Sequence, residues 1–275
     1  MPILTLTSDF GNQDYLAGAI KARLLSINPD FQLVDISHNI SPFNYPQAAY
    51  VCRSAIKNFP EFTYHIILVN LFEKKPEQLL LAFHNNQYLL CADNGLLTMI
   101  LDGKPEMVMG IPLDKKQNRN TLYYTDVFGE TINKMVNGES IQNIGEPDVT
   151  YMEKNPLRPA IGEDWIEGQI IFIDNFENVV VNITIEDFES QRKGRHFKIL
   201  FKRDEVIERI SESYADVQEG EKLVIFNSAG YLEIAINKGN AAGLLGLKGF
   251  SERSSQSKQI LQNQLFYQTV RISFE

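Results

Sequence analysis

The sequence predicts an α/β fold, with an N-terminal α/β domain on a mostly parallel sheet followed by a smaller C-terminal all-β, barrel-like domain. Three observations carry that expectation. Short β-rich runs alternate with helical stripes through the first half of the chain. A polar stretch, residues 145–164, contains Pro147, Pro156 and Pro159, and beyond it strand-like runs dominate. The first domain is therefore read as residues 1–150, a linker as 151–164 and the second domain as 165–275.

Each element has its own signal. Residues 3–7 form a strand, and residues 14–26 put Leu16, Ile20, Leu24 and Leu25 on one helical stripe that Asn28-Pro29 stops. Residues 31–36 return as a strand. Pro46 suits the first turn of a helix over 45–58, ended before Pro60, and residues 63–69 read as a buried strand. Residues 79–84 and 87–92, joined at Asn85-Asn86, read as a hairpin, and residues 126–137 as a helix closed by Gly138. In the second half, strands are read at 168–173, 179–184, 196–201, 222–226, 231–236 and 268–273, with Ser251–Lys258 as a polar loop.

Composition narrows the function. With 44% apolar and 22% charged residues, the 275-residue chain matches a soluble folded protein rather than a disordered one. A net charge of −9 repels phosphate backbones and anionic lipid, which argues against nucleic acid or membrane partners. Cys52 and Cys91 sit in apolar runs and the four histidines lack zinc-site spacing, so buried reduced thiols and no metal are expected. The N-terminus lacks a signal-peptide pattern and no run approaches the ~18 apolar residues of a membrane span, which predicts a cytoplasmic protein.

In a parallel sheet, chemistry is sought in loops beyond the carboxyl ends of the strands. The first such loop, Thr7-Ser8-Asp9-Phe10-Gly11-Asn12-Gln13-Asp14-Tyr15, carries two carboxylates. A carboxylate there can accept two hydrogen bonds from a ribose diol, and the same residues can equally be an Asx turn and a helix cap. The second loop holds His38 and Phe43, and His38 fits a hydrogen-bonded structural histidine better than a base. Cys91-Ala92-Asp93-Asn94-Gly95, Asp174-Asn175-Phe176-Glu177-Asn178 and Asn227-Ser228-Ala229-Gly230-Tyr231 occupy further loops, each also readable as a plain turn. The Walker loop, G-x-G-x-x-G, G-x-S-x-G and H-E-x-x-H are all missing.

Taken together, and including Asp35-Ile36-Ser37-His38-Asn39-Ile40-Ser41-Pro42, these segments resemble the S-adenosylmethionine (SAM) hydrolases over nearly the whole chain. That family is also called the SAM hydroxide adenosyltransferases and is related to fluorinase and chlorinase. The resemblance implies that Asp9 holds the ribose diol, Asp14 the methionine amino group, and Phe43 a position beside the sulfonium. It places Asp93 and Asn94 with the substrate-binding residues, and Asp174, Phe176, Asn178 and Ser228 around the adenine and methionine end. It also implies a homotrimer with the site between subunits, SAM or adenosine as the small-molecule ligand, and no cofactor.

The family's Asp, Arg and His that handle the attacking water are not matched. Asn70 stands at the position of the Asp and Tyr123 at that of the His; the Arg falls near Glu77, with Lys74 and Lys75 as neighbouring cations. An amide cannot accept a proton at neutral pH, and a phenol of pKa about 10 is a poor base. Glu73 would repel a halide if it pointed inward, which sets halide transfer aside. Two activities stay open: cleavage of SAM by water at the ribose 5′ carbon to adenosine and methionine, or non-catalytic binding of SAM or adenosine. A purely structural oligomer is a third.

Overall fold

The computed structural model describes residues 1–75, 77–202, 205–247 and 268–275. It divides into two compact units, Met1–Pro156 and Leu157–Glu275. Ser251–Lys258, read above as a loop, lies outside the described residues.

The first unit runs β1 (Ile3–Ser8), α1 (Leu16–Ile27), β2 (Gln32–Ser37), α2 (Tyr45–Ile56), β3 (Tyr64–Leu68), β4 (Gln78–His84), β5 (Gln87–Ala92), α3 (Leu96–Leu101), β6 (Met107–Pro112), α4 (Thr121–Val136) and β7 (Glu146–Pro147). Its sheet order is β2-β1-β3-β5-β4-β6-β7. The pairs β2-β1, β1-β3 and β3-β5 are parallel, and β4 and β7 run opposite to the rest. Both faces are covered, which explains the unbroken apolar run Ile66-Ile67-Leu68-Val69. Ile66 and Leu68 join the core beneath α1 and α4 with Leu24, Tyr124 and Phe128. Ile67 and Val69 join Ala48, Cys52, Leu96 and Ile100 of α2 and α3.

Local chemistry accounts for the turns. Asn85 and Asn86 both have positive φ, as a type I′ hairpin needs. At the end of α4, Gly138 (φ 87) donates its N–H to Met135 O while Glu139 N–H reaches Lys134 O, satisfying the last carbonyls. The start of α4 differs from the sequence expectation. The helix begins at Thr121, because the Asn120 side chain accepts the Tyr123 N–H at 2.9 Å. Helix α3 was not expected at all, since its residues Leu96 to Ile100 are all buried and show no stripe. Both cysteines are free and buried, and burial pushes the Cys52 thiol up to about 12.

His65 on β3 lies between sheet and helices, its Nδ1 2.8 Å from Thr5 Oγ1 and its ring edge-on to Phe59. Burial, outweighing a smaller opposing influence of Gln87, lowers its pKa to about 4. The folded state therefore holds fewer protons than the unfolded state between pH 6.5 and 4, and stability falls as pH falls through that window. His65→Asn is expected to flatten that slope, worth up to about 3 kcal/mol, in denaturant titrations at pH 7, 5.5 and 4.

Among the described residues, every strand pairing of the second unit is antiparallel. The unit runs β8 (Ala160–Ile161), β9 (Trp165–Ile173), β10 (Val179–Thr184), α5 (Ile185–Arg192), β11 (Phe197–Lys202), β12 (Glu205–Ile207), β13 (Lys222–Phe226), β14 (Tyr231–Ile236), α6 (Ala241–Leu244) and β15 (Thr269–Phe274). The order is β12-β11-β15-β9-β10-β14-β13, with β8 on β9. Beyond β12, Ser211 N–H reaches Val224 O on β13 at 2.8 Å, so the sheet nearly closes into a barrel. Its interior holds Ile166, Ile170, Val181, Val224, Leu232 and Ile272, with Phe188 of α5 beside them. The strand reading left α5 out, although Thr184 and Asp187 form a reciprocal capping box at its start.

Candidate functional site

In the first unit, a belt of hydrogen bonds crosses the carboxyl ends of β2, β1, β3 and β5. At the β2 end, His38 Nε2 lies 3.1 Å from Asp35 Oδ1 and its Nδ1 lies 2.7 Å from Ser8 Oγ. Ser8 and His38 are buried, so the histidine ties β2 to β1 rather than serving as a base. Burial pushes the Asp35 carboxyl up, but hydrogen bonds from Lys21 and His38 outweigh it and hold the carboxyl below its usual range.

Asn70, just past β3, is the centre of the belt. Its φ of 50 is left-handed, a conformation asparagine tolerates better than most residues. Its backbone N–H donates to Asp9 Oδ2 at 2.9 Å, and its Oδ1 accepts the Phe43 N–H at 2.9 Å. Asn94 Nδ2 donates to Val69 O and Asn70 O, while Asn94 Oδ1 accepts the Leu96 N–H that opens α3. Four loops far apart in sequence therefore meet at one residue that is 5% exposed. Asn70 Nδ2 has no partner among the described residues. A buried donor without an acceptor marks a place where an oxygen is due.

Asp9 is half-buried beside it, and burial raises its carboxyl pKa against the N–H of Asn70, which lowers it. A carboxylate offers about four acceptor sites, and the neighbouring chain takes only part of that capacity. Asp14 lies exposed at the start of α1, with Oδ1 accepting the Leu16 N–H at 2.9 Å. Phe43 is 63% exposed and left-handed at φ 62. Asp93 is occupied structurally: its Oδ1 accepts the Met152 N–H at 2.7 Å, pinning the chain after β7.

Tyr123, at the position of the family's His, and Glu73 are also placed. Tyr123 Oη accepts the Asp114 N–H at 2.8 Å and its ring joins the core. Its neighbour Tyr124 stacks on Phe72 at 5.4 Å, and the fully buried Tyr124 hydroxyl lacks a partner among the described residues. Burial raises the Tyr124 pKa, with the Arg119 charge acting the other way. Glu73 takes the Tyr45 hydroxyl and lies 3.3 Å from Lys154 Nζ, which itself sits 3.4 Å over the Tyr45 ring. Lys154 thus brings a further cation to this loop, beside Lys74 and Lys75. Sequence reasoning missed both Arg119 and Lys154, because neither is near the loop along the chain.

In the second unit, Asp174 organises the β9–β10 loop. Its Oδ1 accepts the N–H groups of Phe176 and Asn178 at 2.8 Å, and its Oδ2 the Asn178 side-chain amide at 3.1 Å. The Phe176 ring is thereby held 76% exposed. Ser228 is exposed at the β13–β14 turn, where Asn227 Oδ1 accepts the Ala229 and Tyr231 N–H groups. Glu177 stands at φ 64, a strained setting for a residue with a Cβ. Glu177→Gly is expected to raise stability by about 1 kcal/mol in urea titration, by relieving that strain.

A cleft of about 400 Å³ lined by Arg53, Phe59, His84 and Gln87 lies at the amino ends of β3 and β5, away from the belt. Among the described residues, no cluster of three or more His, Cys, Asp or Glu could hold a metal, and no helix is long and apolar enough to cross a membrane.

Comparison with known proteins is decisive on kinship. Residues 4–145 match the SAM hydroxide adenosyltransferase N-terminal domain, and residues 168–253 the C-terminal domain. The chain belongs to the SAM hydroxide adenosyltransferase family. Among family relatives, it is 28% identical to the (R)-S-adenosyl-L-methionine hydrolase of Methanocaldococcus jannaschii, over 92% of this chain and 95% of that protein. It is 24% identical to a fluorinase of Actinopolyspora mzabensis, over 93% and 98%. An uncharacterized conserved protein from Thermotoga maritima shares the fold with a TM-score of 0.80, at 24% identity, over 99% of this chain and 100% of that one.

Proposed function

We propose that this SAM hydroxide adenosyltransferase family member binds SAM and cleaves it with water at the ribose 5′ carbon, giving adenosine and methionine. The observation that carries the proposal is the pairing of the half-buried Asp9 carboxyl with the unpartnered Asn70 amide at the carboxyl ends of β1 and β3. Two acceptor oxygens can take both hydroxyls of a ribose, and an amide donor beside them can hold an oxygen of substrate or water.

In the same reading Asp14 takes the methionine amino group and Phe43 lies against the sulfonium. Asp174, Phe176, Asn178 and Ser228 serve the adenine and methionine ends. A sulfonium is already a good leaving group, so the chemistry needs water placed in line behind the 5′ carbon more than it needs an acid. The C–O bond forms as the C–S bond breaks, methionine sulfur keeps the electron pair, and the water's proton passes to solvent. The names of the hydrolase relatives support the (R) configuration at sulfur as the substrate form. Assembly as a homotrimer belongs to the proposal, and sedimentation at three chain masses checks it.

A second reading, binding without turnover, is favoured by one observation. Asn70 Oδ1 and Tyr123 Oη, at the positions of two water-handling residues, already accept backbone N–H groups. Incubation with each sulfur epimer of SAM, followed by chromatography for adenosine, separates the two. Adenosine from the (R) form supports hydrolysis. Saturable calorimetric binding with no product supports the second reading, and neither binding nor product rejects both.

A further inference from the structure

Glu233 is the only charged residue of β14, and it is 4% exposed. It pairs with Val180 of β10 and Ile225 of β13 across the sheet. Alternation puts Asn178, two residues before Val180, and Asn227, two after Ile225, on the same face as Glu233. Both asparagines bear on its carboxyl, each acting to lower its pKa. From above, Tyr214 donates its hydroxyl to Glu233 Oε1 at 2.5 Å and lies 3.5 Å from Asn178 Nδ2.

Tyr214 thus joins Glu233 to Asn178, and with Asn227 groups from three separate segments gather around one carboxyl. Asn178 belongs to the loop organised by Asp174, and Asn227 shapes the turn that presents Ser228. We infer that Glu233, with Tyr214, is a positioning pair that fixes the spacing and the side-chain orientation of the two loops carrying Asp174, Phe176, Asn178 and Ser228. Asn178 Nδ2 is held between Asp174 Oδ2 at 3.1 Å and Tyr214 Oη at 3.5 Å, which fixes the orientation of its side-chain amide. Burial, with the Asp174 charge acting in the same sense, raises the Glu233 carboxyl, and burial and Glu233 raise the Tyr214 hydroxyl. Asp174 and Tyr214 are the titratable groups that bear on it. Neither Glu233 nor Tyr214 is proposed to touch the reacting atoms.

The role in ligand binding rests on the function proposed above, and the experiment separates the two. In the ligand-free full chain, the side-chain amide NMR signals of Asn178 and Asn227 are followed in wild type, Tyr214→Phe and Glu233→Gln. Both variants are expected to shift and broaden these signals while leaving the amide of Asn94, in the other unit, unmoved. Calorimetry with adenosine is then expected to show roughly tenfold weaker binding for Glu233→Gln and a few-fold for Tyr214→Phe. Where SAM is turned over, KM rises and kcat holds, as loss of uniform binding requires. Unchanged amide signals in folded Tyr214→Phe overturn the positioning role whether or not Glu233→Gln folds. Shifted signals with wild-type adenosine affinity overturn its relevance to binding. Failure of wild type to bind adenosine or SAM counts against the proposed function alone, because the amide signals are read without ligand.

Discussion

Asp9→Asn is expected to weaken adenosine and SAM binding by roughly 30-fold, about 2 kcal/mol, without weakening the fold. The carboxylate would lose one of two charged acceptors and present an amide donor to a hydroxyl in its place. Stability moves the other way, because burial raises the Asp9 carboxyl. The folded state binds more protons than the unfolded state there, so the stability it contributes at acid pH is lost as pH rises through the raised value. The neutral variant escapes that loss and is expected to melt at or above the wild-type temperature at pH 7. Calorimetric titration paired with thermal melts at pH 4 and 7 checks both halves. A variant that binds adenosine like wild type would remove Asp9 from the site, and one that melts well below it would make Asp9 a structural residue.

Asn70→Asp is expected to raise adenosine formation about 100-fold, the lower range of what a positioned general base contributes. The change is isosteric. Oδ1 can keep the Phe43 N–H, and the atom that is now a donor without a partner becomes an acceptor for a water proton. The new carboxylate would be buried beside Asp9, whose Oδ2 already takes the Asn70 N–H. Like charges and burial both disfavour its ionisation, so the variant is expected to lose about 1–3 kcal/mol of stability at pH 7. Its turnover should rise with pH through the raised value of that group, an acid limb that Asn70 cannot supply. Single-turnover assays between pH 5 and 8 measure it. Unchanged turnover would mean that water does not approach from the Asn70 side.

Most strands were legible because each follows from local pattern, whereas β6 and the short β7, β8 and β12 were not read from the sequence. Ile66 to Val69 announce burial on both faces, Asn85-Asn86 a hairpin, and Asp9 and Asp93 fall just beyond the carboxyl ends of parallel strands, with Asp174 in a loop between antiparallel strands. Glu233 also left a mark that sequence reading passed over, a lone charge among Tyr231, Leu232, Ile234 and Ala235. Helix α3 left none, since a helix buried all round has no stripe to detect.

Periodicity, turn residues and composition were enough to place the carboxylates in loops at the ends of strands, because those signals act over a few neighbouring residues. Which groups meet there depends on sheet order and register. The parallel set β2-β1-β3-β5 brings Asp9, Asn70, Phe43 and Asn94 into one belt, and Lys154 reaches Glu73 across 81 positions of chain. In the other unit, the pairing of β10, β14 and β13 sets Glu233 between two loops. Such encounters are governed by burial and hydrogen-bond satisfaction between distant segments, and a linear pattern carries no measure of that distance.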